Sequence, residues 1–286
     1  MRTITLFSSD FNINNKLLGK RIMQQAEKHG LLEPEQFGSR KRHKSITVAL
    51  NQRLTLDLCR QRRQALATVS VDAKSCYDRI VHNVACINLR RVGIPIEPLL
   101  CMFKTLQMAH HHIMTAFGLS DTTYRSLIDI PLQGIGQGNG AGPSIWSVIN
   151  APIIRMVKNN GGGAIFRTAI ALTVLKYIGF SFVDDSDIIE TDENVSTTGE
   201  EILPAIQTSL DTHNGGLHSS GGALKQDKCD WRLIDWVETP HGWRIRTIEE
   251  MPGTLSIMNY ETGERLTIDP TESREILGVQ ICPNGT

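Results

Sequence analysis

No stretch of about 18 uncharged apolar residues occurs in this 286-residue sequence, so nothing in it reads as a membrane-spanning helix. An early apolar run of the kind that opens a secretory leader is lacking too. Both absences lead us to expect an intracellular protein with no membrane partner, nucleus and cytoplasm both remaining open. The six cysteines (Cys59, Cys76, Cys86, Cys101, Cys229, Cys282) include no Cys-x-x-Cys pair. That spacing excludes a zinc ribbon and a disulfide framework, and free thiols in a reducing compartment are expected. Internal repeats are absent, which excludes a solenoid. An excess of one charge sign is missing as well, with 30 Lys/Arg against 30 Asp/Glu.

What is present is unevenly distributed. Residues 1–70 carry 13 Lys/Arg against 5 Asp/Glu, and the remainder 17 against 25. Such a split suits a basic face for a polyanion beside a region that gathers carboxylates; a solvated basic helix face accounts for the first half equally well. At 40% hydrophobic residues the chain can build the core of one globular unit or two closely joined lobes.

Apolar spacing predicts helices over 14–30 and 45–63, with a basic loop (EQFGSRKRHKS) between them. A buried strand over 65–71 ends at Asp72, and helices follow from Tyr77 to Arg91 and over 97–117. Residues 123–132 read as strand. A glycine-rich turn over 134–142 opens a helix near Pro143 that runs to Asn159. Residues 170–190 read as a β-hairpin interrupted by Asp184-Asp185, residues 200–213 as helix, and 231–282 as short strands. This order of elements predicts an α+β fold.

Three stretches carry chemistry. In FSFVDDSDII two adjacent carboxylates sit between apolar segments. They are either turn-formers at an exposed tip or ligands of a divalent cation, because burying unpaired carboxylates is costly. In VSVDAKSCYDRI, Asp72 closes an apolar strand. It either caps the following helix or joins Asp184 and Asp185 in an oxygen-rich site of the type that suits Mg²⁺. In PLQGIGQGNGAGPSIW, alternate glycines leave backbone amides bare for close approach by a ligand. The loose dinucleotide fingerprint within it is set aside, since no acidic residue follows about 20 positions later to hold a ribose.

Together these stretches resemble the reverse transcriptase family, in the version found in non-LTR retroelements and group II introns. Asp72 with Tyr77 and Asp78 resembles its first palm motif, residues 134–143 its glycine-glutamine loop, and Phe182-Val183-Asp184-Asp185 its aromatic-x-Asp-Asp signature. Outside them, Arg2-Thr3-Ile4 resembles the family's Arg-Pro-Ile strand, and Gln36-Phe37-Gly38-Ser39-Arg40-Lys41 its basic fingers motif. Lys228-Cys229 resembles the lysine-bearing palm motif, and Leu277-Gly278-Val279 the start of the primer grip. Gly136, Asn139-Gly140, Ser39 and Thr3 depart from the family's usual Pro, Ser-Pro, aromatic and Pro.

The resemblance implies a polymerase palm, an antiparallel sheet backed by helices, over residues 67–286, with part of the fingers over 1–66. A thumb, an endonuclease and an RNase H domain fall outside the chain, which implies a piece of a longer retroelement polyprotein or a decayed copy. It implies an RNA template, a DNA primer and dNTPs as partners, and two Mg²⁺ (or Mn²⁺) ions held by Asp72, Asp184 and Asp185. Tyr77 would stack beneath the incoming sugar and exclude a 2′-hydroxyl. Gln137 and Gly138 would line the nucleotide pocket. Arg2 and Arg40 would contact triphosphate or template, and Lys228 the leaving pyrophosphate, although a plain surface charge suits these three equally. An RNA-dependent RNA polymerase, a nucleotide cyclase and a non-catalytic nucleic-acid-binding remnant are the competing readings.

Other features are expected to be structural. His110-His111-His112 diverge by roughly 100° per residue on a helix, which suits surface histidines better than chelation. Asp187 is expected to be solvated, and Trp231, Trp236 and Trp243 to pack in the core.

Overall fold

The computed structural model describes residues 4–127, 131–168, 170 and 173–282. In chain order the elements begin α1 (Ser9–Lys28), α2 (Ser45–Arg62), β1 (Leu66–Asp72), α3 (His82–Arg91) and α4 (Ile96–Met108). Next come β2 (Met114–Thr115), β3 (Gly118–Leu119), α5 (Gly142–Asn159), β4 (Ala164–Arg167), β5 (Val174–Tyr177), β6 (Gly179–Phe182) and β7 (Asp185–Glu190). The chain continues with α6 (Gly199–Ser219), β8 (Asp230–Ile234), β9 (Trp236–Thr239) and β10 (Gly242–Ile245). Last are β11 (Leu255–Asn259), β12 (Glu264–Pro270), β13 (Arg274–Ile276) and β14 (Val279–Ile281).

The chain divides into two compact units, one of Met1–Leu31 with Ser75–Ile149, the other of Leu32–Lys74 with Asn150–Thr286. The second holds a six-stranded sheet of order β11-β12-β8-β1-β7-β6. Its pairings are antiparallel except for β12 beside β8. Because side chains alternate across a strand, each sheet face collects its own set. Val69, Val71, Ile188, Trp231 and Leu233 face Ile202, Ile206 and Leu210 of α6, forming one core. Leu66, Ile189, Ile234 and Phe180 meet Val48, Leu56 and Cys59 of α2 in another. Trp231, among the most deeply buried side chains, also donates its indole N–H to the Ile268 carbonyl at 3.1 Å. Helix α6 opens with a capping box in which Thr198 and Glu201 satisfy each other's backbone N–H. Helix α2 ends where Arg63 turns left-handed and Gln64 N–H reaches the Cys59 carbonyl.

The α+β architecture follows the expectation from element order, and four local readings are corrected. The helix expected from Tyr77 begins at His82, because the preceding backbone is used elsewhere: the carbonyls of Tyr77 and Ile80 accept from Ile135 and Gly134. The helix expected over 97–117 stops at Met108, where Ala109 turns extended and a short hairpin, β2–β3, follows. The strand expected over 123–132 is reduced, among the described residues, to a bridge between Tyr124 and His111, while residues 128–130 lie outside them. The hairpin read over 170–190 is in fact two pairings, β4 with β5 and β6 with β7. Among the described residues no helix is long and apolar enough to cross a membrane.

Candidate active site

The β6–β7 hairpin turns through Val183-Asp184, and its register places Phe182 opposite Asp185. On its other side β7 pairs with β1 so that Asp72 lies directly opposite Asp185. Carboxylates 113 positions apart in the sequence are therefore brought together by strand pairing alone. Val183 has φ +61°, a left-handed conformation that a β-branched residue adopts only under strain, typically about 1–3 kcal/mol. That strain sits at the residue aiming the acidic pair. The basic loop braces it. Phe37 N–H donates to the Ser181 carbonyl at 2.7 Å, and Ser181 N–H donates to the Glu35 carbonyl at 2.9 Å. A Cβ on Gly38 would lie 2.2 Å from the Val183 nitrogen, so only glycine fits this approach.

The electrostatics are those of a site with too much negative charge. Burial pushes the Asp185 carboxyl up, and the neighbouring Asp184 and Asp72 push it further. Asp72 is partly relieved by Lys228, whose Nζ lies 2.8 Å from Oδ2. Its backbone carbonyl accepts from Lys225 N–H, which fixes the end of the strand. The capping reading of Asp72 fails, since the next helix begins ten residues later. As they stand, no three His, Cys, Asp or Glu side chains among the described residues converge into a metal-holding group. The donor set nevertheless fits a hard divalent cation: two adjacent acids and one opposed to them, all oxygen, with the Lys228 ammonium standing in as a monovalent counter-charge.

The other unit holds the glycine loop. Gly134, Gly136 and Gly138 all have positive φ (84°, 72° and 119°). A Cβ on Gly138 would fall 2.4 Å from the Thr5 carbonyl oxygen. Thr5 N–H donates to the Gln137 carbonyl at 2.7 Å, and Asn12 clamps the loop by donating to the Gly138 carbonyl and accepting from Gly140 N–H. The Tyr77 ring lies against Gly142, where a side chain would meet it at 3.5 Å. Beneath the loop, His82 is buried with Nε2 2.6 Å from the Gly134 carbonyl oxygen and Nδ1 2.9 Å from Gln107. A donor to the first and an acceptor from the second define the neutral Nε2–H tautomer, and burial lowers the His82 pKa accordingly.

Asp72, Asp184, Asp185 and Lys228 are thus gathered in one unit, and Tyr77, Gln137 and Gly138 in the other. Arg40 turns its guanidinium onto the Glu33 and Gln36 carbonyls of its own loop. Arg2 lies outside the described residues. Asp187 corrects the expectation of a solvated acid. It is buried and accepts hydrogen bonds from Gln52 and Ser70, with Arg232 3.6 Å away. Its position two residues after Asp185, on the same face of β7, is the signal that could have found it. His110 and His112 are exposed, and His111 stacks on Tyr124. Among the tryptophans, Trp243 is the exception to core packing. It is 49% exposed, with the Arg63 guanidinium over its ring.

A mostly antiparallel sheet backed by helices, with opposed carboxylates at a hairpin tip, is the palm fold of polymerases. Residues 1–281 match the family described as Reverse transcriptase (RNA-dependent DNA polymerase), and the chain belongs to that family. No curated protein matches it in sequence. Among solved structures it is similar to telomerase from Candida albicans in complex with a TWJ fragment of telomeric RNA, at 12% identity and a TM-score of 0.54. That match covers 94% of this chain and 36% of the other. It is also similar to apo telomerase from Candida tropicalis truncated from its C-terminal domain, at 11% identity and a TM-score of 0.52, with 94% and 43% covered. The chain therefore spans about two fifths of the length of these neighbours, and at such identity the likeness is one of fold.

Proposed function

We propose that this chain is the catalytic part of an RNA-directed DNA polymerase of the non-LTR retroelement or group II intron type, adding dNTPs to a DNA primer on an RNA template. Residues 1–66 supply part of the fingers and residues 67–286 the palm. The reading places the protein inside the cell, with its template and nucleotides, as part of a longer retroelement polyprotein. The observation that carries it is the register pairing of Asp72 with Asp185 beside Asp184, at a tip whose mutual repulsion calls for a cation.

Asp72, Asp184 and Asp185 would hold two divalent ions, Mg²⁺ or Mn²⁺, which when bound activate a hydroxyl and neutralise charge on a leaving phosphate. Lys228, paired with Asp72, would exchange that partner for the pyrophosphate oxygens and bring positive charge to where negative charge develops. Gln137 and Gly138, on a loop whose glycines expose backbone, line the nucleotide. The Tyr77 ring, held against Gly142, would stack beneath the sugar of the incoming nucleotide and exclude a 2′-hydroxyl. Arg2 and Arg40 would contribute charge toward triphosphate or template, Arg40 by leaving the Glu33 and Gln36 carbonyls of its own loop.

The wild type should incorporate dNTPs in preference to rNTPs, and Tyr77→Val should raise rNTP use by about 10- to 200-fold, the usual worth of one steric contact. Competitive single-nucleotide incorporation measures both. A wild type that prefers rNTPs would identify an RNA polymerase instead. Salt-dependent binding of primer–template without turnover would identify a binding remnant.

A further inference from the structure

Strand β7 reads Asp185-Ser186-Asp187-Ile188-Ile189-Glu190. Its two isoleucines are adjacent, so each face of the strand receives one. Hydrophobic burial alone therefore discriminates weakly between this register and one slipped by a residue, and a slip would turn every side chain to the opposite face. Asp185 would then no longer share a face with Asp72. Something other than apolar pattern has to pin the strand.

Asp187 is placed to do so. Its direct cross-strand partner on β1 is Ser70, whose hydroxyl donates to Asp187 Oδ1. Gln52, from the middle of α2, donates to Oδ2. Arg232 of β8 donates through Nη2 to the Ser70 hydroxyl at 2.8 Å and stands 3.6 Å from Asp187 Oδ1. All four side chains are buried, with 2–8% exposure, and three strands and a helix meet in them. A buried ion pair of this kind is a poor device for stability, because apolar residues of similar size usually do as well; its best-attested use is to fix register.

The cluster is also incomplete by two atoms. Gln52 Oε1, an acceptor, and Arg232 Nη1, a donor, are buried without a protein partner. Both residues, with Thr68, line a cavity of about 20 Å³, which is room for a single water.

We propose that Gln52, Ser70, Asp187 and Arg232, closed by one water, form a positioning latch that ties α2 to the carboxylate-bearing strands and sets Asp72 opposite Asp185. The latch touches neither nucleotide nor template; it acts through the strands. Its link to catalysis rests on the polymerase reading, whereas its effect on the hairpin does not.

The test uses the full chain carrying Asp187→Leu and Arg232→Met together, read by melting temperature, by amide hydrogen exchange over residues 183–190, and by steady-state primer extension. The latch predicts a melting temperature unchanged or raised, and exchange in that segment faster by about tenfold or more. It further predicts kcat lowered by about 10- to 100-fold with KM for the nucleotide within about twofold, as expected for misplaced catalytic groups. Exchange at the wild-type rate overturns the latch whatever extension shows. Faster exchange in a protein whose wild type extends no primer upholds the latch and counts against the polymerase reading. Should the double variant fail to fold, Gln52→Ala leaves the charges paired and is judged by the same exchange criterion.

Discussion

Asp185→Asn is expected to melt at a higher temperature than the wild type and to extend primers at least about 100-fold more slowly. The two effects share one cause. Burial and the charges of Asp184 and Asp72 hold the Asp185 carboxyl above the usual range, so its ionised form is disfavoured in the folded chain. The amide removes one like charge from a directly opposed cross-strand pair, relief worth about 0.2–1 kcal/mol or up to roughly 3 °C. The same neutralisation removes charge from the proposed cation site, where a single electrostatic contact is commonly worth about 10²–10³ in rate. A structural turn-former at this position would give the opposite pattern, with stability lost and activity kept. Differential scanning calorimetry and primer extension on the same preparation separate the two.

A second large effect is expected in acid, from a residue remote from the chemistry. His213 of α6 is buried, its Nδ1 has no protein partner, and burial lowers its pKa to about 4. An unfolded chain takes up this proton near pH 6.5. Below that pH the unfolded state binds more protons than the native state, so the histidine's contribution is complete above about 6.5 and drains away as pH falls toward 4. The whole shift is worth about 3 kcal/mol, at roughly 1.4 per pH unit. Urea unfolding at pH 7 and pH 4.5 should show the wild type losing about 2–3 kcal/mol more than His213→Leu. Equal losses in the two proteins would mean that His213 is protonated without cost and is not held in a dry environment.

Much of the candidate site's local structure was legible because its parts are local. Asp72 closes an apolar run, Asp184-Asp185 interrupts another, and alternating glycines mark a loop whose backbone must be approached. All three survive in the structure as strand end, hairpin tip and left-handed loop. What was not legible depends on partners far away in sequence. The helix start at His82 was missed because the carbonyls of Tyr77 and Ile80 are claimed by the glycine loop more than 50 residues later. The end of α4 was missed because apolar residues 113–117 look helical in isolation, although they enter a hairpin with Phe117 fully exposed. Asp187 looked like one more solvated acid in an acidic stretch. Only the pairing of β7 with β1, and the arrival of Gln52 from α2, shows that its charge is buried and answered.

The strain at Val183 and the closeness of Gly38 to it carry a related lesson. Neither is encoded by propensity, since valine at a turn and glycine in a basic loop are unremarkable by themselves. They become informative as a pair, the glycine allowing the backbone approach and the valine accepting the conformation that presents Asp184.

The account stands most directly on template-directed synthesis by this chain and its dependence on the hairpin carboxylate. The measurement is extension of oligo(dT) on poly(rA) with dTTP and Mg²⁺, run beside Asp184→Asn at equal folded concentration. The account predicts extension by the wild type and its loss, by about 10³-fold or more, in the variant. Equal extension by both proteins, or duplex binding by a folded wild type that adds no nucleotide, would contradict it.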